Sequence, residues 1–412
     1  MKRRLSFIFM SILIVALIGY LGVRFNASIR TVLNHNQLTQ KQKLDDFEYM
    51  YRILKENYPY FEVNKRQNGV DWLSNKDKYI SDIKATSNDE SFFKVLKNIL
   101  AELNNGHTSI FNKDFYLLMK SLYEQDTSMS QAWIKQLNDE KAKERYSAML
   151  DSKTIPQDSN YIFPDNVKTS ILEKDKTAYM AIHSFNSFNI TGDMKLIAPF
   201  LQSIKNYKAL IIDIRGNGGG DSRYWLENIV PILLNKPLND TQYVAFRGGS
   251  FTEQFIRNRF GVGYQNLPKI SDIDNGVLKN LPPELKKDFK YYVTNSMAYE
   301  PINSIGFNGK IYLLVDSRVF SSAEAFAVFA KSTGFATLIG EKTGGDGIGF
   351  DPAVCTLPNS GYVFRFPLEM GLTSDGTSNF EHKTEPDIKV SAKVGAAPSE
   401  DEAVKTVLKL VE

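Results

Sequence analysis

The apolar runs ALIIDI (residues 209–214) and IYLLV (residues 311–315) constrain the fold more than any other part of the chain. Both are short, bulky and almost free of polar alternation, as a strand buried on both faces must be. Such strands belong to parallel sheets covered by helices on either side. Each run is closed by polar residues or glycine and followed by a helical stretch, at 222–234 and from 322 onward. Residues 176–185 and 337–340 read as further strands and 191–207 as a helix between them. Strand and helix therefore alternate from 176 to 340, which predicts an α/β core with a largely parallel sheet.

Ahead of this core the pattern is helical. Leu44, Phe47, Tyr51 and Leu54 recur at three- and four-residue steps over 41–58, up to Pro59. Residues 72–85 and 89–103 continue the pattern, the latter with Phe92, Leu96, Ile99 and Leu103 on one broad face. An N-terminal helical bundle is expected, ending in the turn Asn104-Asn105-Gly106-His107. Residues 113–165 read as a helical insertion and 235–308 as a long polar one. The single cysteine, Cys355, excludes an intrachain disulfide framework and reads as a buried, inert thiol.

The first residues predict a destination. Lys2, Arg3 and Arg4 precede an uncharged, mostly apolar run at 5–23, closed by Arg24. That length approaches a bilayer span, and the basic flank predicts a cytoplasmic N-terminal tip. No A-x-A-like cleavage site and no cysteine for lipidation follow the run. An uncleaved single-pass anchor in the cell membrane is expected over a cleaved signal peptide, with the body on the extracytoplasmic side in either case. A net charge of +3 without a dense basic stripe argues against nucleic acid as a partner.

Chemistry is suggested at Ser321-Ser322, where one strand ends and a helix begins. Helix N-termini carry unpaired N–H groups and suit an oxyanion. A helix cap formed by Ser321 or Ser322 is the alternative use of the same residues. Arg215-Gly216-Asn217-Gly218-Gly219-Gly220 follows the other buried run. It matches neither the P-loop nor the dinucleotide fingerprint. Its glycines free backbone N–H groups for close approach, and Gly218 or Gly219 with Ser322 could supply two oxyanion donors. Among four histidines, His107 at the end of the bundle is placed to enter a cleft.

Asn105-Gly106-His107-Thr108, LIIDIRGNGGG (210–220), VFSSAEAFA (319–327), GEKTGG (340–345) and EPDIKV (385–390) follow one another as in the tail-specific, or C-terminal processing, peptidases. Over residues 40–412 the chain resembles this S41 family of serine peptidases. The resemblance implies a core related to the crotonase and Clp-protease folds, with Ser321 as nucleophile three residues before Glu324. One branch of the family uses a lysine in the turn after the GE-x-T segment; the matching position here is Asp346, and Lys342 falls too early. The tricorn-like branch uses Ser, His and Glu, and the chain resembles that branch through Ser321, His107 and Glu381. No PDZ-type carboxylate loop is evident in 113–175.

The resulting expectation is a membrane-anchored serine endopeptidase acting on peptides or proteins, with no cofactor and no metal. Glu324 would support the site, and Asp213 and Arg215 would brace the glycine loop. The expected organisation is 1–29 as tip and anchor, 30–165 as helical domain and insertion, and 166–412 as peptidase core. Two alternatives share the fold: a crotonase-like acyl-CoA enzyme, and a binding protein on a catalytically degenerate peptidase scaffold.

Overall fold

The computed structural model describes residues 37–125, 127, 130–149, 163–274, 276–395, 397 and 400–412. The expected anchor at 5–23 and His35 lie outside these residues. Among the described residues no helix is long and apolar enough to cross a membrane.

Among the described residues twelve strands form three sheets: β1 (Ser109–Ile110), β2 (Val167–Glu173), β3 (Thr177–Ile182), β4 (Ala209–Asp213), β5 (Leu238–Phe246), β6 (Tyr291–Tyr299), β7 (Lys310–Val315), β8 (Thr337–Gly340), β9 (Ala353–Thr356), β10 (Val363–Phe366), β11 (Met370–Leu372) and β12 (Ile388–Lys389). The central sheet has the order β12-β8-β7-β4-β3-β2. It is parallel from β12 to β3, with β2 antiparallel at one edge. The period of two divides each buried run between its two faces. Leu210, Ile212 and Leu313 pack with Phe326 and Phe329 of the helix Ser322–Thr333. Ala209, Ile211 and Leu314 pack with Ala403, Val404 and Val407 of the C-terminal helix Glu402–Val411. Both faces are apolar because both are covered.

Arg215 ties these layers together. Its guanidinium pairs with Asp213 at the end of β4 and, at 2.8 Å, with Asp401. Asp401 in turn accepts from the N–H groups of Ala403 and Val404, capping the last helix. The charges are buried but fully bonded, which is the condition for tolerating them.

The N-terminal helices Gln40–Asn57, Lys76–Lys84 and Asp89–Ala101 form as expected, with an additional helix at Phe61–Asn68. Their aromatic core, including Phe47, Trp72 and Phe92, runs without a break into Val354, Phe364 and Phe366 of the sheet β1-β10-β9. The stretch 222–234 forms two short helices, Arg223–Leu226 and Val230–Leu233, rather than one. Pro231 lacks the N–H needed to continue the first into the second. The insertion at 235–308 contains the long antiparallel pair β5–β6, joined from Leu238 with Tyr299 to Phe246 with Tyr291, and β11 pairs with the other edge of β5.

Candidate active site

Ser321 sits between β7 and the helix Ser322–Thr333 with φ 56° and ψ −126°. This conformation is rare for a residue with a Cβ and costs roughly 1–3 kcal/mol. It turns the hydroxyl away from the helix end, where it makes no capping hydrogen bond. The Oγ instead lies 2.9 Å from Nε2 of His107. Ser322 points the other way, its Oγ accepting from Ser222 Oγ and from Trp225 Nε1.

His107 arrives from the turn after Asp89–Ala101, its side chain only 15% exposed. Its backbone N–H donates to Asn105 Oδ1 at 2.8 Å, and its ring packs against Phe320 with centroids 4.7 Å apart. The ring Nδ1 lies 2.8 Å from Asp346 Oδ2. That oxygen also accepts from Asn105 Nδ2 at 2.9 Å, and Oδ1 accepts from the Tyr60 hydroxyl at 3.3 Å. Asn105 thus grips the carboxylate and the histidine backbone at once.

Asp346 reaches this position because the turn after β8 runs alongside the nucleophile. Gly345 bridges to Phe320, its carbonyl accepts from the Ser321 N–H, and Asp346 itself takes φ 60°. Aspartate tolerates this left-handed conformation better than most residues. Glu324, fully buried, accepts from Asn379 Nδ2 and Thr384 Oγ1, and Asn379 also holds the Gly347 N–H. Burial pushes its carboxyl above the usual range. Through these bonds Glu324 fastens the turn to the helix that follows Ser321.

Two expectations are corrected here. Glu381 does not reach the imidazole. Its carboxylate is held by Arg66 at 2.7 and 2.8 Å, while Arg66 also binds Glu284. The short helix Asn379–His382 turns Phe380 onto Tyr60 and Glu381 toward Phe61–Asn68, so the acid locks two segments together. Gly219, expected to offer its N–H, donates it to Asn217 Oδ1 at 2.9 Å. Among the described residues the N–H groups of Gly218 and Ser322 have no protein acceptor.

The glycine loop is nonetheless against the serine. Asn217 accepts from the Phe320 N–H, and a Cβ on Gly219 would come within 2.8 Å of both Ser321 Cβ and Ser322 N. Sequence reasoning did not find Asp346, Asn105 or Tyr60 as partners in the cluster. The one available signal was an acid at the turn position where a related branch carries lysine. His183 and His382 are exposed. Among the described residues no His, Cys, Asp and Glu cluster is arranged to hold a metal ion.

Behind the turn, Glu369 accepts from the Phe350 N–H with Oε1, and its Oε2 has no partner. Burial, aided by the nearby Asp346 charge, raises its carboxyl to about 8. Unfolded, it titrates near the ordinary value of 4.5. The folded state therefore keeps a proton that the unfolded chain loses, so stability is complete below pH 4.5, falls up to about pH 8, and is then level. Glu369→Gln removes this decline. Between pH 5 and 9 its stability relative to the parent is expected to rise by about 2–4 kcal/mol. Parallel melting-temperature curves against pH would contradict the assignment.

The model of peptidase family S41 matches residues 176–390, just over half of the chain. That of the tricorn protease C1 domain matches residues 39–101. Comparison with curated proteins gives no match. Among solved structures, mature CPAF complexed with lactacystin aligns over 90% of this chain and 98% of its own, at 14% identity and TM-score 0.57. A Parabacteroides merdae protein described provisionally as a peptidase aligns over 90% and 96%, at 21% identity and TM-score 0.56. These likenesses establish a shared fold.

Proposed function

The chain belongs to peptidase family S41 and is a serine-type peptidase, and we propose that it cuts peptide bonds through a Ser321–His107–Asp346 relay. The observation that carries this reading is the imidazole held between two partners, 2.9 Å from the hydroxyl and 2.8 Å from the carboxylate.

In this reading Asp346 accepts from Nδ1–H, leaving Nε2 to take the proton as Ser321 Oγ attacks the scissile carbonyl. The imidazolium that forms is stabilised by the same carboxylate. The unpaired N–H groups of Gly218 and Ser322 hold the developing oxyanion. His107 then passes its proton to the leaving amine, the peptide C–N bond breaks, and an acyl ester remains on Ser321. Water, deprotonated by His107, hydrolyses that ester and frees the hydroxyl. Glu324, Asn105 and Tyr60 act by holding the relay in place.

Substrates are peptides or proteins, as the family implies. Kinship of the parallel core with the crotonase and Clp folds is part of the same proposal. So is single-pass anchoring through residues 5–23 with the body outside the cytoplasm, supported by the basic-then-apolar sequence alone.

A fluorophosphonate probe tests the reading directly. The full-length protein is expected to form one adduct, located on Ser321 by peptide mass spectrometry, and Ser321→Ala is expected to form none. A folded protein that stays unlabelled, or carries the adduct elsewhere, would support the degenerate-scaffold alternative.

A further inference from the structure

Beside His107 lies a positive charge that the relay does not use. Arg365 stands on β10 directly opposite Ser109 of β1, and Ser109 lies two residues after His107 in the chain. Its Nη2 donates to the Gly106 carbonyl at 3.3 Å, and its guanidinium lies 4.7 Å from the centroid of the Phe115 ring. Its Nε is enclosed and has no acceptor. Among the described residues no carboxylate pairs with it, and burial depresses its pKa. A half-buried guanidinium is ordinarily paired, because desolvating the charge is costly. Among the described residues Asp346 and Asp351 lie within electrostatic reach of it, yet neither forms an ion pair with it beside the turn that carries His107.

The surroundings match this imbalance. Arg259, exposed over the Phe350 ring at 4.4 Å, likewise has no carboxylate partner among the described residues. Asp351 is exposed within electrostatic reach of Arg259, Arg365 and His107, yet pairs with none of them. Its charge moderates the field of the two arginines without occupying either fork.

The reaction decides which part of a substrate meets this charge. His107 must deliver its proton to the leaving nitrogen, so the residues beyond the cut pass on the histidine side of Ser321. A planar guanidinium is suited to a carboxylate there. We propose that Arg365 forms a carboxylate-binding subsite for the leaving side of the peptide, selecting an acidic side chain or a free C-terminal carboxylate at that position. The proposal rests on the serine-peptidase site described above.

The test uses the full-length protein and peptide libraries in matched pairs. One pair carries Glu or Gln at randomised positions in C-terminally amidated peptides; the other compares free-acid with amidated C-termini. The wild type is expected to favour the carboxylate member of at least one pair by roughly tenfold to a hundredfold in kcat/KM. The first pair reports a side-chain source and the second a terminal one. Arg365→Gln is expected to bring that ratio near one, and Arg365→Lys to keep part of it. Asp351→Asn removes a competing charge and is expected to raise it. A residue that merely held the Gly106 turn would change both members of a pair equally. Equal cleavage of both members by the wild type, or a ratio unmoved by Arg365→Gln, would overturn the subsite alone. No cleavage together with no fluorophosphonate adduct would sink the peptidase site and the subsite together.

Discussion

Asp346→Asn is expected to lower kcat/KM by about 10⁴-fold, while Glu381→Gln changes it by less than about threefold. The carboxylate at 346 faces His107 Nδ1 at 2.8 Å and is held by Asn105 and Tyr60. An amide there presents an N–H to the ring, or an oxygen too weak to stabilise an imidazolium. In the first case Nε2 carries a proton when it should accept one; in the second Nε2 can accept, but the imidazolium that forms has lost its counter-charge. Glu381 has its carboxylate 13% exposed on Arg66, and its loss removes one ion pair from a site where Glu284 still binds the same guanidinium. Measuring kcat/KM for both variants on one cleavable peptide separates the two acids. The reverse order of effects would return the orienting role to Glu381.

Gly219→Ala is expected to cost about 10²–10³ in kcat with the protein still folded. Gly219 has φ 97°, a conformation that L residues rarely adopt. A Cβ would also meet the Phe320 carbonyl at 2.7 Å and the Ser322 N at 2.8 Å. All of these contacts are backbone or the nucleophile itself, so relief must come from moving the loop off Ser321. The Gly218 N–H moves with it. Kinetics together with a melting curve check the result: full kcat would mean that the loop supplies no oxyanion donor.

The parts of this molecule legible in its sequence are those set by local chemistry. The strands at 209–213 and 311–315 were readable because both faces are apolar, and the helix after Ser321 because alanines pack it tightly on the sheet. Ser321 and His107 were readable as a hydroxyl and an imidazole at element ends, while only the family resemblance paired them, as the 2.9 Å contact does. Asp346 was not, because its direction depends on left-handed backbone at residues 345 and 346, which no periodicity reports. Glu381 was misread because its spacing in the chain says nothing about Arg66, which arrives from the N-terminal helices. The strand β6 was missed because its half-exposed face reads as polar loop, and pairing with β5 alone makes it a strand.

The base and the nucleophile stand 214 positions apart in the chain. Ribosomal synthesis delivers the imidazole long before the hydroxyl, and the acid that orients it later still. A nascent polypeptide that has not yet passed residue 346 therefore lacks the acid of the proposed relay. In the proposed relay hydrolytic competence arrives late, as a property of the assembled tertiary structure rather than of any one segment.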